Sequence, residues 1–394
     1  MKPFRLITLL FVLLAGTLFV QAQKMDYAEL GKRIVNTSAD IQPGDVVVVA
    51  GGKHTIDLME AVAIEARKQG GFATMFLTTD AMQYSLLRDV PDEYLGQESD
   101  YFTEWFKEID VWIGLPAFED FQMINKDVPK EKYALLAKAG EEFNNNLNNS
   151  KVRAVFLAYP TEFQAKDAGL DFKTWEKMAW NAINADYSKI AAHAKKLEKM
   201  LMQSKEVHIT SPAGTDLTFS VSERTVLIDD GVVAAEDKDS PLVFQRAAGL
   251  PGGQVVTTIH EDSAEGKLVV AKTKCNYEPI KNMSLEFENG VMQNLQANDG
   301  QDCMMEIFKL QEGDYNKIAG LAIGLNPALK VMQDGEQDLR SENAAGMVYV
   351  GIGDNRVIGG NNKAKGNFSY DFPVTNATVT IDGVVVVKDG VLQQ

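Results

Sequence analysis

Histidine and cysteine, the side chains that bind transition metals most readily, are scarce in this sequence. The 394 residues include four histidines and two cysteines, and no histidine follows His260. The other three, His54, His193 and His208, form no pair at i, i+4 or at another metal-ligand spacing. There is also no Cys-x-x-Cys motif and no Gly-x-Ser-x-Gly elbow. The sequence therefore supports neither a histidine-rich metal site, nor a redox motif, nor a serine nucleophile.

Basic residues are also fewer than acidic residues. Lysine and arginine total 39 against 55 aspartates and glutamates, so the formal net charge is −16. No run of basic residues interrupts this acidic composition. Because a field of that sign repels phosphate backbones and anionic lipid surfaces, we expect no nucleic-acid partner.

The first 22 residues differ from the rest of the chain. Lys2 and Arg5 precede an apolar run from Leu6 to Val20, and Val20-Gln21-Ala22 offers small residues at the cleavage positions. This order is typical of a secretory signal peptide, and the run is shorter than the ~20 residues that a bilayer span needs. We therefore predict export to the periplasm or the exterior, cleavage near Ala22 and no membrane association afterwards. Loss of two positive charges would take the net charge to −18.

The two cysteines are Cys275 and Cys303. In an oxidising compartment two thiols can form a disulfide. Without an indicative spacing, they are equally compatible with two unrelated small apolar residues. The sequence leaves both interpretations open.

Length and composition predict two domains. A chain of 394 residues exceeds the size that one hydrophobic core usually supports, and 45% hydrophobic with 24% charged residues is typical of a globular protein. We divide the chain into a signal peptide at 1–22, an N-terminal α/β domain at 23–204 and a β-rich α+β C-terminal domain at 205–394. The boundary follows a long helix predicted from Phe172 to about Met202.

The N-terminal domain alternates strands with helices. Asp45–Ala50, Thr55–Gln69 and Phe72–Leu77 indicate a βαβ unit whose strands are buried on both faces. Val111–Gly114 and Val152–Ala158 continue the pattern as strands. A further helix is predicted from Lys130 to about Asn146. The predicted fold class is therefore α/β with a largely parallel sheet.

The segment Gly51–Thr55 lies between a strand and a helix, where a phosphate could meet backbone N–H groups. It lacks both the Walker pattern and the glycine spacing of dinucleotide-binding turns. We interpret it as a plain strand-to-helix turn.

After Lys205, short alternating runs separated by glycine and asparagine indicate strands and hairpins. Asp382-Gly383 and Asp389-Gly390 are typical hairpin turns, so the end of the chain is predicted to be a β-meander. Lys317–Ile323 is compatible with a strand or with a helix end.

Glycine-rich segments near the end of the chain carry more specific information. They are Leu250–Val255, Ile318–Pro327, Ser341–Asn355 and Gly359–Lys363, the last running into Ser369–Asp371. This series resembles the aminopeptidase T family of metallopeptidases, together with the ferrous dihydroxypyridine dioxygenases that are similar to it. The resemblance implies a hydrolase that uses two divalent metal ions, of the zinc or cobalt type, to release N-terminal residues. It also implies a homodimer, since members of the family are often dimeric.

Carried over position by position, the resemblance implies that most metal ligands are replaced. In chain order the family presents two glutamates, a histidine, a tyrosine, a second histidine and an aspartate to the metals. Asp371 keeps the family's residue, so five of the six positions are replaced. The six positions in this chain are Gln254, Gly320, Tyr349, Arg356, Ser369 and Asp371.

These replacements predict that no metal cofactor is held. Amide and hydroxyl groups are weak ligands for zinc, and a non-haem iron centre requires two histidines beside its carboxylate. Glu342, Asp354 and Asp371 are residual oxygen ligands that calcium or magnesium could use. Turn-forming and solvated roles in Gly- and Asn-rich loops explain them better.

We therefore expect an exported homologue of the aminopeptidase T enzymes that is catalytically inactive or strongly diverged. Its former active-site cleft is expected to bind a peptide or another small ligand. Two alternatives stay open: an active metal-dependent aminopeptidase with a rearranged site, and a structural or oligomeric interaction protein.

Overall fold

The fold combines one parallel sheet flanked by helices with two antiparallel sheets. The computed structural model describes residues 25–393, apart from 98, 121–122, 125–127, 130, 133–134, 137–139, 141–149, 276–277 and 331–337. The helices in this part of the chain are α1 (Tyr27–Arg33), α2 (Ile56–Lys68), α3 (Asp80–Asp89), α4 (Asp92–Leu95), α5 (Asp100–Lys107), α6 (Glu162–Asp167), α7 (Phe172–Ile183), α8 (Tyr187–Gln203) and α9 (Gln301–Lys309).

Short helical turns supplement these helices, and the strands fall into three sheets. The turns are a π-helical turn at Ile34–Ser38 and 3-10 turns at Lys53–Thr55, Ala235–Asp237, Asp338–Asn343, Arg356–Ile358 and Lys365–Asn367. The strands are β1 (Val46–Gly52), β2 (Phe72–Thr78), β3 (Val111–Gly114), β4 (Arg153–Leu157), β5 (Val207–Thr210), β6 (Asp216–Phe219), β7 (Val226–Asp229), β8 (Ala247–Leu250), β9 (Gln254–Thr258), β10 (Glu265–Cys275), β11 (Glu278–Glu288), β12 (Val291–Gln296), β13 (Ile318–Gly324), β14 (Val348–Gly353), β15 (Ser369–Pro373), β16 (Thr378–Ile381), β17 (Val384–Lys388) and β18 (Val391–Leu392).

The first sheet has the order β2-β1-β3-β4-β8, and all its neighbouring strands are parallel. The predicted βαβ unit is confirmed as β1, α2 and β2. Val47 and Val49 pack with residues of α1 and α2, whereas Val48 packs with Phe106 of α5. Because helices cover both faces, β1 is apolar throughout, which is why its sequence shows a continuous run instead of an alternation.

The helix predicted from Phe172 to Met202 is in fact two helices, α7 and α8. The chain turns between them at Asn184–Asp186, where Asn184 closes α7. Asp186 accepts a hydrogen bond from Ser188 Oγ at 2.6 Å as α8 begins. Apolar periodicity runs through both helices because each buries a face. The break comes from short polar side chains, which compete with the helix for local hydrogen bonds.

Two antiparallel sheets make up the C-terminal part. The longer sheet has the order β12-β11-β10-β6-β5-β16-β17-β18, and the second, which we call the cleft sheet, has the order β15-β14-β13-β9-β7. They share a buried core with α8 and α9. The segment Lys317–Ile323, which the sequence left open, forms a strand, β13, with the bounds Ile318–Gly324. Asp382 and Gly383 have φ of 46° and 80°, as a two-residue type I′ hairpin requires. The predicted fold class is confirmed.

Chain segments cross between the two halves of the molecule. The apolar face of α8 packs in the core of the antiparallel sheets, while β8 returns to the edge of the first sheet. The division at residue 204 stays a prediction. The predicted signal peptide at 1–22 lies outside the described residues, as does most of the helix predicted from Lys130 to about Asn146. Among the helices that are described, none is long and apolar enough to cross a membrane.

Cys275 and Cys303 form a disulfide, which decides between the two interpretations left open by the sequence. The bond joins the end of β10 to α9, and the cysteines are 28 residues apart along the chain. Closing a loop of that length restricts the unfolded chain and so stabilises the fold.

We expect the double variant Cys275→Ala/Cys303→Ala to lose about 3–4 kcal/mol of unfolding free energy, because chain entropy predicts that value for such a loop. Urea unfolding of the oxidised wild type and the variant measures the difference. A reducing agent should lower the stability of the wild type and leave the double variant unchanged. Quantitative alkylation of both thiols in protein isolated under oxidising conditions would contradict the disulfide.

The turn between β1 and α2 forms as predicted and contains His54. The His54 ring lies edge-on to the ring of Tyr159, with 5.7 Å between centroids. Its Nε2 is buried and has no hydrogen-bond partner in the described structure. Burial lowers the pKa of His54 below its usual value, so the ring is neutral at neutral pH.

Acid should destabilise the protein through His54. The unfolded chain, where the pKa of histidine is about 6.5, takes up a proton more readily than the folded chain. The His54 contribution to stability is therefore present above that pH and is lost as the pH falls below it. We expect His54→Phe, which keeps the ring contact, to lose less stability than the wild type between about pH 7.5 and 5.5 in urea titrations. Identical losses in the two proteins would refute this role.

Candidate functional site

One face of the cleft sheet carries most of the positions that the resemblance assigned to metal ligands. Gly320 lies opposite Gly351, which in turn lies opposite Asp371. Tyr349 and Gln254 are separated from these cross-strand pairs by even numbers of residues, so strand alternation turns them to the same face. The alternate residues of these strands enter the core between the antiparallel sheets.

Glycines, which have no side chain, keep this face open. A Cβ at Gly351 would lie 2.5 Å from Asp371 Oδ1, so the glycine makes room for the carboxylate. A Cβ at Gly320 would lie 3.1 Å from Ile358 Cδ1. The result is a cavity of about 360 Å³, which we call the cleft. Its lining includes Gln254, Gly320, Tyr349, Ser369 and Asp371.

The structure thus brings together five of the six positions named from the resemblance. Arg356, the sixth, does not line the cleft. Its guanidinium forms an ion pair with Asp354, with Nη2–Oδ2 at 2.6 Å and Nε–Oδ1 at 3.1 Å, and also donates to Asn367. The three predicted oxygen ligands, Glu342, Asp354 and Asp371, all line the cleft, and Asp354 is also paired with Arg356.

The positive charge inside the cleft belongs to Arg340, a residue that the sequence analysis did not single out. Arg340 Nη2 donates to Asp229 Oδ2 at 2.9 Å, and its Nε donates to the carbonyl of Pro251 at 3.2 Å. Asp229 is buried and also accepts from the backbone N–H groups of Gly231 and Gly249. The carboxylate therefore joins β7, β8 and the turn that holds Arg340.

Backbone geometry directs Arg340 to this place. Leu339 and Arg340 both have left-handed backbones, with φ of 54° and 57°. Leu339 is buried against α7, which anchors the turn. A Cβ at Gly249 would lie 2.3 Å from Arg340 Nη2, so only glycine admits the guanidinium at this point of β8. A basic residue directly before Ser341–Asn355 is the one sequence signal that could have suggested this role.

Glu342 is the second charged residue of the turn. Its Oε1 lies 4.0 Å from Arg340 Nη2, and its Oε2 is buried without a hydrogen-bond partner among the described residues. Loss of solvent raises the pKa of Glu342, although the nearby guanidinium opposes this shift. The charges of Asp229 and Asp371 raise it further.

Asp371 is the carboxylate at the outer edge of the cleft sheet. Its side chain is exposed to the cleft, and partial desolvation there raises the pKa of Asp371 above its usual range. Two carboxyl groups that both resist ionisation therefore line one cavity.

Buried asparagines hold the loops around the cleft. Asn343 Nδ2 and Arg340 Nε both donate to the carbonyl of Pro251, which follows a cis peptide bond. Asn326 Nδ2 donates to the carbonyls of Ala182 and Gly252. Because these amides satisfy backbone groups that water cannot reach, they fix the loops in place.

Comparisons with known proteins find a family match and similar solved structures. The model of a family described as thermophilic metalloprotease (M29) matches residues 21–327. AmpT from Thermus thermophilus has a similar structure, with a TM-score of 0.73 and 15% identity, over 93% of this chain and 99% of that chain. A 2,5-dihydroxypyridine dioxygenase from Pseudomonas putida KT2440 is also similar, with a TM-score of 0.59 and 15% identity, over 93% and 96%. A comparison with curated sequences finds no match.

The family match covers well over half of the chain, so the chain belongs to the M29 metalloprotease family. This confirms the resemblance to aminopeptidase T. At 15% identity the two solved structures show the fold alone. The matched span ends at residue 327, so Tyr349, Ser369 and Asp371 lie outside it. Their assignment as former ligand positions stays a prediction.

Members of this family need metal ions, but the side chains of the cleft do not fit a pair of them. Gln254 and Tyr349 offer neutral oxygens, Ser369 offers a hydroxyl, and Gly320 offers no side-chain ligand. A fixed cation, Arg340, already lies beside Glu342. In the described part of the chain, no group of three or more His, Cys, Asp and Glu side chains could hold a metal ion.

Removing the guanidinium alone should destabilise the protein. Arg340→Met leaves the charge of Asp229 buried without its partner, and we expect a loss of about 3 kcal/mol of unfolding free energy. Adding Asp229→Asn should restore most of this loss, because a neutral amide oxygen still accepts from the two backbone N–H groups. Urea unfolding of the wild type, both single variants and the double variant measures the coupling. A double variant no more stable than Arg340→Met would contradict this account.

Proposed function

Because the chain belongs to a metalloprotease family, while one carboxylate stands among its predicted ligand positions, we propose that it is a non-hydrolysing member of that family. It binds a peptide or another small ligand in the cleft without cleaving it. The observation that carries this proposal is the convergence of Gln254, Gly320, Tyr349, Ser369 and Asp371 on one cavity.

The chemistry of these groups supports the loss of hydrolysis. Two divalent ions a few ångströms apart repel each other, and metallopeptidases offset that repulsion with several anionic ligands. Here Asp371 is the one strong ligand of the set. Arg340 adds a positive charge that cannot be lost by deprotonation, so the electrostatics of the cleft oppose a second cation.

The size of the cavity and the fixed loops around it support ligand binding. Its volume of about 360 Å³ lies within the range of small-molecule sites, and the surrounding loops are fixed by buried amides and by the Arg340–Asp229 pair. A cleft kept rigid and partly polar retains the properties needed for recognition after hydrolysis is lost.

We also propose that the protein acts outside the cytoplasm, after cleavage of the signal peptide near Ala22. The disulfide between Cys275 and Cys303 supports this location, since such bonds persist in oxidising compartments. A homodimer stays a prediction of the family resemblance.

Metal analysis tests the proposal directly. We expect the purified wild type, incubated with zinc or cobalt and then desalted, to retain much less than one ion per chain and to hydrolyse no aminoacyl anilide. About two tightly held ions per chain, together with chelator-sensitive hydrolysis, would overturn the proposal.

Restoring the family's ligands should restore metal binding. The variant Gln254→Glu/Gly320→Glu/Tyr349→His/Ser369→His adds two carboxylates and two imidazoles around Asp371. The end of Ile358 is the flexible group that must move for the new side chain at position 320. We expect calorimetry to show zinc binding by this variant, and weaker binding once Asp371→Asn is added as the matched control. If the restored variant folds but binds no zinc, the assignment of ligand positions is wrong.

A further inference from the structure

We propose that the protein has a second ligand site, where Arg33 binds the carboxylate of a small organic acid. The site is a cavity of about 480 Å³ between α1 and the end of α7, which we call the α1 pocket. None of the residues that line it also lines the cleft. The carboxylate could belong to a free acid or to the C-terminus of a peptide, and the experiment below separates these two sources.

The guanidinium of Arg33 lacks an anionic partner in the described part of the chain. Its Nη1 donates to Oδ1 of Asn184, a neutral amide, at 3.0 Å. Its Nε and Nη2 are buried and have no hydrogen-bond partner among the described residues. By contrast, Arg153, Arg224 and Arg340 each pair with a carboxylate. The structure therefore leaves one largely buried cation on the wall of a cavity without a counter-charge.

Burial makes the missing counter-charge costly. Loss of solvent lowers the pKa of Arg33, yet a guanidinium stays charged at all accessible pH values. The ring of Tyr187, whose centroid lies 5.7 Å from Arg33 Cζ, attracts the cation but carries no negative charge. Since a buried charge is tolerated best when it is paired, an anion bound in the α1 pocket would supply the missing partner.

The free edge of Arg33 matches a carboxylate. Nε and Nη2 lie on the same side of the planar guanidinium, where two parallel N–H groups meet the two oxygens of a carboxylate. Asn184 is exposed, so its amide can release Nη1 and let the guanidinium turn this edge toward the pocket. The exchange is favourable because a charge-assisted hydrogen bond is roughly twice as strong as one to a neutral amide.

Two exposed acidic side chains limit the charge of the ligand. Asp26 and Glu29 also line the α1 pocket. Asp26 caps α1 by accepting the N–H groups of Ala28 and Glu29, and Glu29 pairs with Lys32. Because repulsion grows with charge, these residues disfavour a phosphate dianion more than a carboxylate with one charge.

Apolar side chains of the pocket define the rest of the ligand. Leu30 and Trp180 are buried and line the cavity together with Met25. The Trp180 ring is held edge-on to the rings of Tyr27 and Tyr159, with centroids 6.0 Å and 5.4 Å away. An apolar substituent placed against this wall would gain the free energy of leaving water. The α1 pocket is therefore suited to a monocarboxylic acid with an apolar substituent.

A ligand series on the wild-type protein tests this inference by calorimetry. 3-Phenylpropionate should bind at least tenfold more tightly than 3-phenylpropionamide, which lacks the charge, and more tightly than phenyl phosphate. Acetate should bind weakly because it lacks the apolar group. Tighter binding of 3-phenylpropionate than of N-acetyl-glycyl-phenylalanine would identify a free acid as the source, and the reverse order would identify a peptide C-terminus.

Variants then locate the contact. Arg33→Met keeps the apolar stem and should weaken 3-phenylpropionate binding at least tenfold. Arg33→Lys, which keeps the charge but loses the two-pronged edge, should recover part of that loss. Lys281→Met removes the same charge from an exposed ion pair with Asp299 on β11, and this matched control should bind as the wild type does. Melting curves establish that each variant is folded.

The outcomes that contradict the inference are separate from those that contradict the proposed function. Equal binding of 3-phenylpropionate and its amide, no binding by any member of the series, or undiminished binding by a folded Arg33→Met would overturn the carboxylate site. If Arg33→Met does not fold, undiminished binding by Arg33→Lys together with equal binding of the amide has the same meaning. These results leave the proposed function unchanged, because the α1 pocket shares no residue with the cleft.

Discussion

The carboxylate of Asp229 lies where three parts of the chain meet, and it holds them together. Asp229 is the last residue of β7 in the cleft sheet. Its carboxylate accepts a hydrogen bond from the N–H group of Gly249 in the first sheet and pairs with Arg340 in the 3-10 turn. A charge buried to this degree is tolerated only when it is paired and hydrogen-bonded. The two sheets and the turn are therefore constrained to one arrangement, and the cleft is the space that this arrangement leaves open.

The pair also sets the electrostatics of the cleft. In a metallopeptidase, dissociable metal ions neutralise the acidic side chains, so charge and catalysis depend on the same groups. Here a guanidinium, which is charged at all accessible pH values, neutralises Asp229 and lies 4.0 Å from Glu342. On the function proposed above, the fold keeps its internal charge balance without metal.

The sequence predicted the parts of this molecule that depend on neighbouring residues. The βαβ unit and the turn at Asp382-Gly383 are local patterns, and both formed as expected. The break near Asn184 was missed because the apolar periodicity continues across it. The role of Arg340 in the cleft was missed for a different reason. Its partner Asp229 is 111 residues away along the chain, and no local sequence pattern indicates such a pair. The cleft positions were found because the resemblance supplied the long-range information that a single sequence lacks.

Glycine residues keep the cleft open. A glutamate at position 320 would fill part of the cavity and add charge, whereas Gly320 leaves the space between the sheet and Ile358 open. Gly351 and Gly249 make room for Asp371 and Arg340 in the same way. Since these openings arise from the backbone, they do not depend on a bound ion. On the function proposed above, replacement of the ligands therefore leaves the walls of the cleft in place.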